Sequence, residues 1–324
     1  MKTSSSSSSQ LEQIIRESFL LNPNYPVSPA LIQCYEEAKN SGKFSKMSSF
    51  TKAEHNDEFA IHITHDIDWL SPFHPYSFLN YARSFVSNHS WLKGNQLLDG
   101  SIFLRSIEQL LQLEKELGIQ GIFCVGASNR LQIGRFDIRY GINQKLFTEL
   151  IQLLQSFNSV IGLHSSYEAD KKKTITRESA VLAKTIKHPI SIHRSHFLNF
   201  QPQSLYPQLV AANIKFDLGF GYARTVGLRN GFPGKYKPVD SLSGEVLDLT
   251  VIPLILLDNV FFTKPYHEVM QDFRQTLEQL KQYKGSACIL FHPENMIIKP
   301  QLWNYFEEII HICKEEGAKL NPPL

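Results

Sequence analysis

Six residues of this chain stand where chemistry is possible: Asp66 and Asp68 in "FAIHITHDIDWL", His164 in "VIGLHSS", Arg194 and His196 in "SIHRSHFL", and His292 in "CILFHPEN". Each follows an apolar run of the length of a buried β-strand. Successive side chains of a strand point to opposite faces, which puts His62, Thr64, Asp66 and Asp68 on one side and Ile61, Ile63, His65 and Ile67 on the other. Two carboxylates sharing a face repel, and ionised carboxylates are almost never buried without a partner. Asp plus two His is a common ligand set for a divalent cation with open positions, and such an ion would neutralise the pair. Plainer roles exist for each residue. An Asp-x-Asp pair can cap a helix or organise a turn, Arg194 can pair with an aspartate directly, and a lone strand-end His is ordinarily a hydrogen-bonded structural residue. The recurrence of an apolar strand ending in Asp, Arg or His favours one shared site over separate structural roles.

Such residues are remote in sequence, so the elements before them must bring them together. Helical periodicity is predicted for "IFLRSIEQLLQLEKELG", "QKLFTELIQLLQSF", "TRESAVLAKTIK", "HEVMQDFRQTLEQLKQYK" and "WNYFEEIIHICKEEG". Between these lie the strand-like runs "IQGIFCVGAS", "SVIGLHSS", "PISIHRSHFL", "IKFDLGFGY", "LDLTVIPLIL" and "SACILFHPEN". Alternation of this kind argues for parallel strands joined by helices, and seven or so strands suggest a barrel related to the TIM type. In such a barrel the carboxyl ends of all strands surround one mouth, which is where the six residues stand.

The bulk composition is that of an ordinary globular protein, with 42% hydrophobic and 20% charged residues among 324. A formal charge of +2 with scattered lysines and arginines gives no electrostatic footprint for nucleic acid. Cys34, Cys124, Cys288 and Cys313 are widely spaced without a C-x-x-C pair, as expected of buried free thiols. No run has the length of a signal peptide core or membrane span, so the expected location is cytoplasmic. Residues 1–57, which include the serine run Ser4–Ser9 and two short helical patterns, are expected to form an N-terminal extension on a main domain of residues 58–324.

Several of these stretches together carry a family likeness. "THDIDW" resembles the first motif of a divergent T-H-D-V-D branch of the polysaccharide deacetylases, the NodB-homology proteins of carbohydrate esterase family 4, whose commoner form is T-F-D-D-G. "GIQGIFCVGAS" is similar to their second strand, "IGLHSSYEA" to their metal-binding histidine motif, H-S/T-x-x-H, and "HRSHFL" to their arginine motif. "KFDLGFGYARTVGLRNG" and "ILFHPEN" resemble the later motifs, so the likeness runs from about Glu58 to the carboxyl terminus.

The resemblance implies a deformed (β/α) barrel, a divalent metal with Zn2+ as the best match, and hydrolysis of the acetamide of an N-acetylated carbohydrate by activated water. It implies Asp66 as the base, Arg194 as the group that orients it, and His292 as the general acid. It implies Asp68 and His164 as metal ligands. The second histidine of the family motif is replaced here by Glu168; His196 is expected to supply the missing ligand, since it alternates onto the face of Arg194, with Glu168 itself as the alternative. The adjacent aspartates of T-F-D-D-G are separated here by Ile67, which leaves Asp66 and Asp68 open to exchange of roles. Tyr167, Asp217 and Arg229 are secondary candidates for substrate contacts, with a core role equally open for Tyr167. Phe220, Tyr222, Phe232 and Tyr236 either stack on sugar or form the local core of a long loop, the latter being preferred. Another metal-dependent amidase or esterase on the same barrel, or a catalytically silent carbohydrate-binding protein, are the alternatives.

Overall fold

Every residue of the first strand, β1 (Ala60–Ile67), is buried. A strand covered on both faces belongs to a parallel sheet with helices outside and further side chains inside. The structure is a computed structural model that describes residues 59–70, 102–127, 140–142, 144–229, 231, 233–238, 240, 246–321 and 324. The expected N-terminal extension, Cys34 and Phe232 lie outside the described residues.

After β1 come α1 (Ile102–Glu116), β2 (Ile122–Val125), α2 (Lys145–Ser156) and β3 (Val160–Ser165). Two helices, α3 (Ala169–Lys172) and α4 (Ile175–Ile186), lead to β4 (Ile192–Ser195) and a tight helical turn, His196–Leu198. The chain continues through α5 (Pro202–Ala211), β5 (Phe216–Asp217), β6 (Thr250–Val251) and β7 (Leu254–Leu257). A second tight turn, Asp258–Phe262, precedes α6 (Tyr266–Gln282) and β8 (Ser286–Leu290). The last elements are α7 (Pro293–Ile298), α8 (Gln301–Glu315) and β9 (Lys319–Leu320). The helix α5 is not predicted by periodicity, because prolines interrupt it. Pro202 occupies the first turn, where a backbone N–H would have no helical partner, and Pro207 sits within.

The strands run β6-β5-β4-β3-β2-β1-β8-β7 with β9 beside β1, and all neighbours are parallel. The two ends of this order are the two halves of one stretch, 250–257. Its first half bonds to β5, with Ile252 N donating to Asp217 O at 2.9 Å, and its second half bonds to β8, with Cys288 N donating to Pro253 O at 2.8 Å. Leu254 N also donates to Phe220 O at 3.0 Å, just beyond β5. The sheet therefore curls into a deformed (β/α) barrel, closed through a strand broken at Pro253. Gly221 makes that closure possible, since a Cβ there would stand 2.3 Å from Leu254 O.

Two apolar compartments result. A large core lies between the sheet and the helices, filled from α1 by Phe103, Ile107, Leu110 and Leu111 at helical spacing. A small one, including Ile122, Ile192, Leu218, Ile252 and Cys288, fills the barrel interior. His65 points to the outer layer and lies 2.9 Å from both Phe291 O and Glu114 Oε1, fastening α1 to β1. Cys124, Cys288 and Cys313 are free and buried, as expected. Among the described residues no helix is long and apolar enough to cross a membrane.

Candidate metal centre

The parallel barrel brings together residues that stand far apart in the chain. Asp68 lies just past β1, His164 in β3, and His196 at the first position of the turn after β4. One ligand atom from each falls within 4.8 Å of the others. His164 Nε2 is 3.1 Å from Asp68 Oδ1, and His196 Nε2 is 3.4 Å from Asp68 Oδ2. The chain leaves the mouth directly after His196 through Phe197 and Leu198, whose φ values of 57° and 53° are in the left-handed region. Backbone strain of this kind in bulky residues recurs at functional sites.

The donor set fits a cation. His164 Nδ1–H donates to Arg194 O at 3.1 Å, which leaves a lone pair on Nε2 in the neutral ring. That atom and Asp68 Oδ1 are both buried, are close together, and have no well-formed hydrogen bond among the described residues. Nδ1 of His196 is likewise buried without a partner among the described residues. Two lone pairs facing each other in a buried place require a positive charge between them, either a proton or a metal ion. A carboxylate and two imidazoles are suitable ligands for zinc or a similar divalent ion. Burial alone would raise the pKa of Asp68, yet His196 and His164 hold it well below the ordinary carboxylate range. Burial works against protonation of His164, but Asp66 and Asp68 push its pKa above the usual value.

Asp66 stands beside this triad, with Oδ2 3.8 Å from His164 Nε2. Its other oxygen accepts from Arg194 Nη1 at 3.0 Å. Arg194 is completely buried in the barrel; Nη1 also donates to Thr64 Oγ1 at 2.8 Å and Nε to Leu218 O at 3.0 Å. Burial would favour a neutral Asp66, but Arg194 and then His164 and His292 outweigh it and depress its pKa. The same pair raises the pKa of Arg194 against its own burial. Asp66 is thus a carboxylate kept ionised.

His292 follows β8, and its Nε2 is 4.0 Å from Asp68 Oδ2. Its partner is a residue not expected from the sequence. Asp258, fully buried at the end of β7, accepts from His292 Nδ1–H at 2.7 Å through Oδ1, and from His292 N at 2.8 Å and Asn295 Nδ2 at 3.1 Å through Oδ2. Burial lowers the pKa of His292, but Asp258, with help from Asp68 and Asp66, pushes it up to about 10. "LILLD" carries the same signal as the other strands, an apolar run ending in an acid, so Asp258 was within reach of the rule that found the rest. Glu294 is a second residue that spacing did not single out. Its Oε1 accepts from Asp68 N at 2.8 Å and Trp69 N at 2.7 Å. Burial, and after it the charge of Asp68, push Glu294 up to about 8.

The remaining expected residues divide. Glu168 does not join the triad; it is paired with Lys172 at 2.9 Å on the surface. Tyr167 meets the exposed ring of Phe197 edge to face at 5.8 Å, and Phe197 in turn contacts His196. Asp217 has no exposed surface. It receives His193 Nδ1 at 2.8 Å, and His193 Nε2 lies 2.9 Å from Ser165 Oγ, so the trio braces β5, β4 and β3. This Asp-His-Ser chain is too deeply buried to meet a substrate. Arg229 is engaged inside the long loop, over Phe220 at 5.1 Å and donating to Gly221 O at 3.3 Å. Phe220 and Tyr236 are buried edge to face at 6.3 Å, which makes them loop core.

No protein-family model matches the chain, and no curated protein sequence does. Among solved structures the chain is similar to a putative polysaccharide deacetylase from Mycobacterium smegmatis, at 13% identity over 85% of this chain and 98% of that one, with a TM-score of 0.47. It is similar also to the catalytic domain of a peptidoglycan N-acetylglucosamine deacetylase from Eubacterium rectale, at 11% identity over 85% and 92%, with a TM-score of 0.43. A third likeness is to a CE4 family pseudoenzyme from Bacillus anthracis, at 10% identity with a TM-score of 0.44. This third match covers 82% of this chain and 64% of the pseudoenzyme, under two thirds of that protein's length. Likenesses of this degree concern the course of the chain alone.

Proposed function

We propose that the chain is a metal-dependent hydrolase that removes the acetyl group of an N-acetylated sugar, in a polysaccharide or in a nucleotide- or lipid-linked precursor. The observation that carries this reading is the convergence of Asp68, His164 and His196 within 4.8 Å, bordered by Asp66 and by His292. A divalent ion held by these three side chains, zinc being the best match, would supply Lewis acidity toward a carbonyl oxygen and a lowered pKa for water.

The chain's own residues supply the proton transfers. Asp66, kept ionised by Arg194, offers Oδ2 beside the triad as acceptor for the proton of an attacking water. His292, protonated at neutral pH through its contact with Asp258, offers Nε2–H to the departing amine nitrogen. Arg194, itself held by Thr64, keeps Asp66 from rotating, and Asp258 fixes the ring of His292 through Nδ1. Tyr167, beside exposed Phe197, is the proposed contact for the sugar. The acetylated sugar itself rests on the likeness of "THDIDW", "IGLHSSYEA" and "HRSHFL" to the polysaccharide deacetylase motifs.

Acetate release from a panel of free, oligomeric and nucleotide-linked N-acetylated sugars tests the reading. Release should disappear on chelation and return with zinc, and His292→Ala should lower it by about a hundredfold to ten-thousandfold while keeping the metal. A zinc-loaded protein that releases no acetate from any of them would sink the deacetylase reading and leave another metal-dependent amidase or esterase, or a silent carbohydrate-binding protein. Loss of zinc from His292→Ala would make His292 a ligand instead of an acid.

A further inference from the structure

We propose that Glu294 is a positioning residue that sets the Asp68 turn in ligating geometry and ties it to His292; this rests on the metal-centre reading above. The problem it solves begins with the length of β1. The strand ends at Ile67, whose ladder partner is Val125, and Asp68 stands one residue beyond the last paired position. A residue past the end of a ladder loses the backbone bonds that would hold its side chain at a fixed angle. Tyr140 secures the strand up to that point, since its hydroxyl donates to Ile67 O at 2.8 Å and accepts from Gly126 N at 2.7 Å.

From Asp68 onward Glu294 takes over. A single oxygen, Oε1, accepts the consecutive N–H groups of Asp68 and Trp69 at 2.8 and 2.7 Å. Consecutive N–H groups that converge on one acceptor define the backbone of both residues together. Glu294 is 3% exposed and lies in the first turn of α7, two residues after His292. That turn is anchored separately: His292 to Asp258 as described, and Pro293 O to Ser106 Oγ at 3.3 Å. The covalent link from His292 to Glu294, and the bonds from Glu294 to the Asp68 turn, place the proposed acid and the proposed ligand on one rigid piece. Residues that orient metal ligands are ordinarily worth about 10–100-fold in metal affinity.

The test compares three variants by zinc affinity under chelator competition and by hydrogen exchange of the Asp68 and Trp69 amides in the metal-free protein. Glu294→Gln keeps an acceptor oxygen at the same reach and should resemble the parent in both. Glu294→Asp is one methylene short of the two N–H groups; it should exchange these amides faster and lose about 10–100-fold in zinc affinity. Glu294→Ala should do the same, and if it fails to fold, Glu294→Asp still decides. Parent-like affinity and protection in Glu294→Asp would overturn the proposal, as would a Glu294→Gln protein that loses both. If the parent itself binds no zinc, the metal-centre reading fails, and the amide exchange alone then judges Glu294.

Discussion

Replacing Asp258 by Asn removes one charge and almost no volume beside His292, so its effects can be worked from the bonds in place. The Oδ2 of Asp258 accepts two donors, His292 N and Asn295 Nδ2, whereas Oδ1 faces His292 Nδ1. An amide that keeps its oxygen toward the two donors must turn its NH2 toward Nδ1. The ring is then driven to accept at Nδ1 and to carry its one proton on Nε2, because two N–H groups cannot face each other at 2.7 Å. His292 now stands at about 10, with burial working against Asp258, Asp68 and Asp66. A carboxylate in direct contact is worth about 1–3 units of pKa, or about 1.4–4 kcal/mol at 1.36 kcal/mol per unit. Asp258→Asn should therefore bring His292 to about 7–9. The assay is an NMR titration of the His292 ring in chelator-treated protein, its signal assigned by absence in His292→Ala. In active protein the high-pH limb of kcat/KM should move to lower pH, because the proposed acid works only when protonated. A His292 that still titrates near 10 in Asp258→Asn would refute the reasoning.

Three further outcomes follow from the same contacts. Asp68→Asn should weaken zinc binding and recover part of its activity in excess zinc, whereas Asp66→Asn should keep zinc and lose turnover; the reverse pattern in metal analysis and acetate release would exchange the two roles. Arg194→Met should deprive buried Asp66 of its hydrogen-bonded cation and cost about 3–5 kcal/mol in denaturant unfolding, and much of that loss should return in the Arg194→Met/Asp66→Asn double variant. The metal-free protein should become less stable as pH rises. The pKa of His292 is higher folded than unfolded, so its contribution is fully present below about 6.5 and is lost as pH rises through about 10. Melting temperatures across that window should fall in the parent and fall less in Asp258→Asn.

Much of the barrel was legible because the signals that define it are local. The apolar spacing of α1 and α8 and the short apolar runs of β1, β3 and β8 report burial on one stripe or on two faces, and that depends only on neighbours in the chain. Polar residues at the ends of such runs mark Asp66, His164, Arg194 and His292 by their position in the chain alone. Local signals failed where the structure depends on a partner. The run "LDLTVIPLIL" reads as one strand, but closure of the barrel divides it into β6 and β7 with different neighbours. The helix α5 was hidden by its prolines, which packing against its neighbours overrides.

For the site, the sequence by itself determined which residue types stand at the strand ends, and a parallel barrel puts those ends around one mouth. It left the third member of the triad open between His196 and Glu168, whereas the tertiary structure places His196 3.4 Å from Asp68 and Glu168 against Lys172. Only the tertiary structure decided that Asp258 faces His292, that Glu294 holds the Asp68 turn, and that Asp217 is taken up by His193 on the other side of the sheet. Periodicity along one strand says which face a side chain takes. Which atom it meets there depends on the register and curl of strands far away in sequence, and neither is written in the residues of the strand alone.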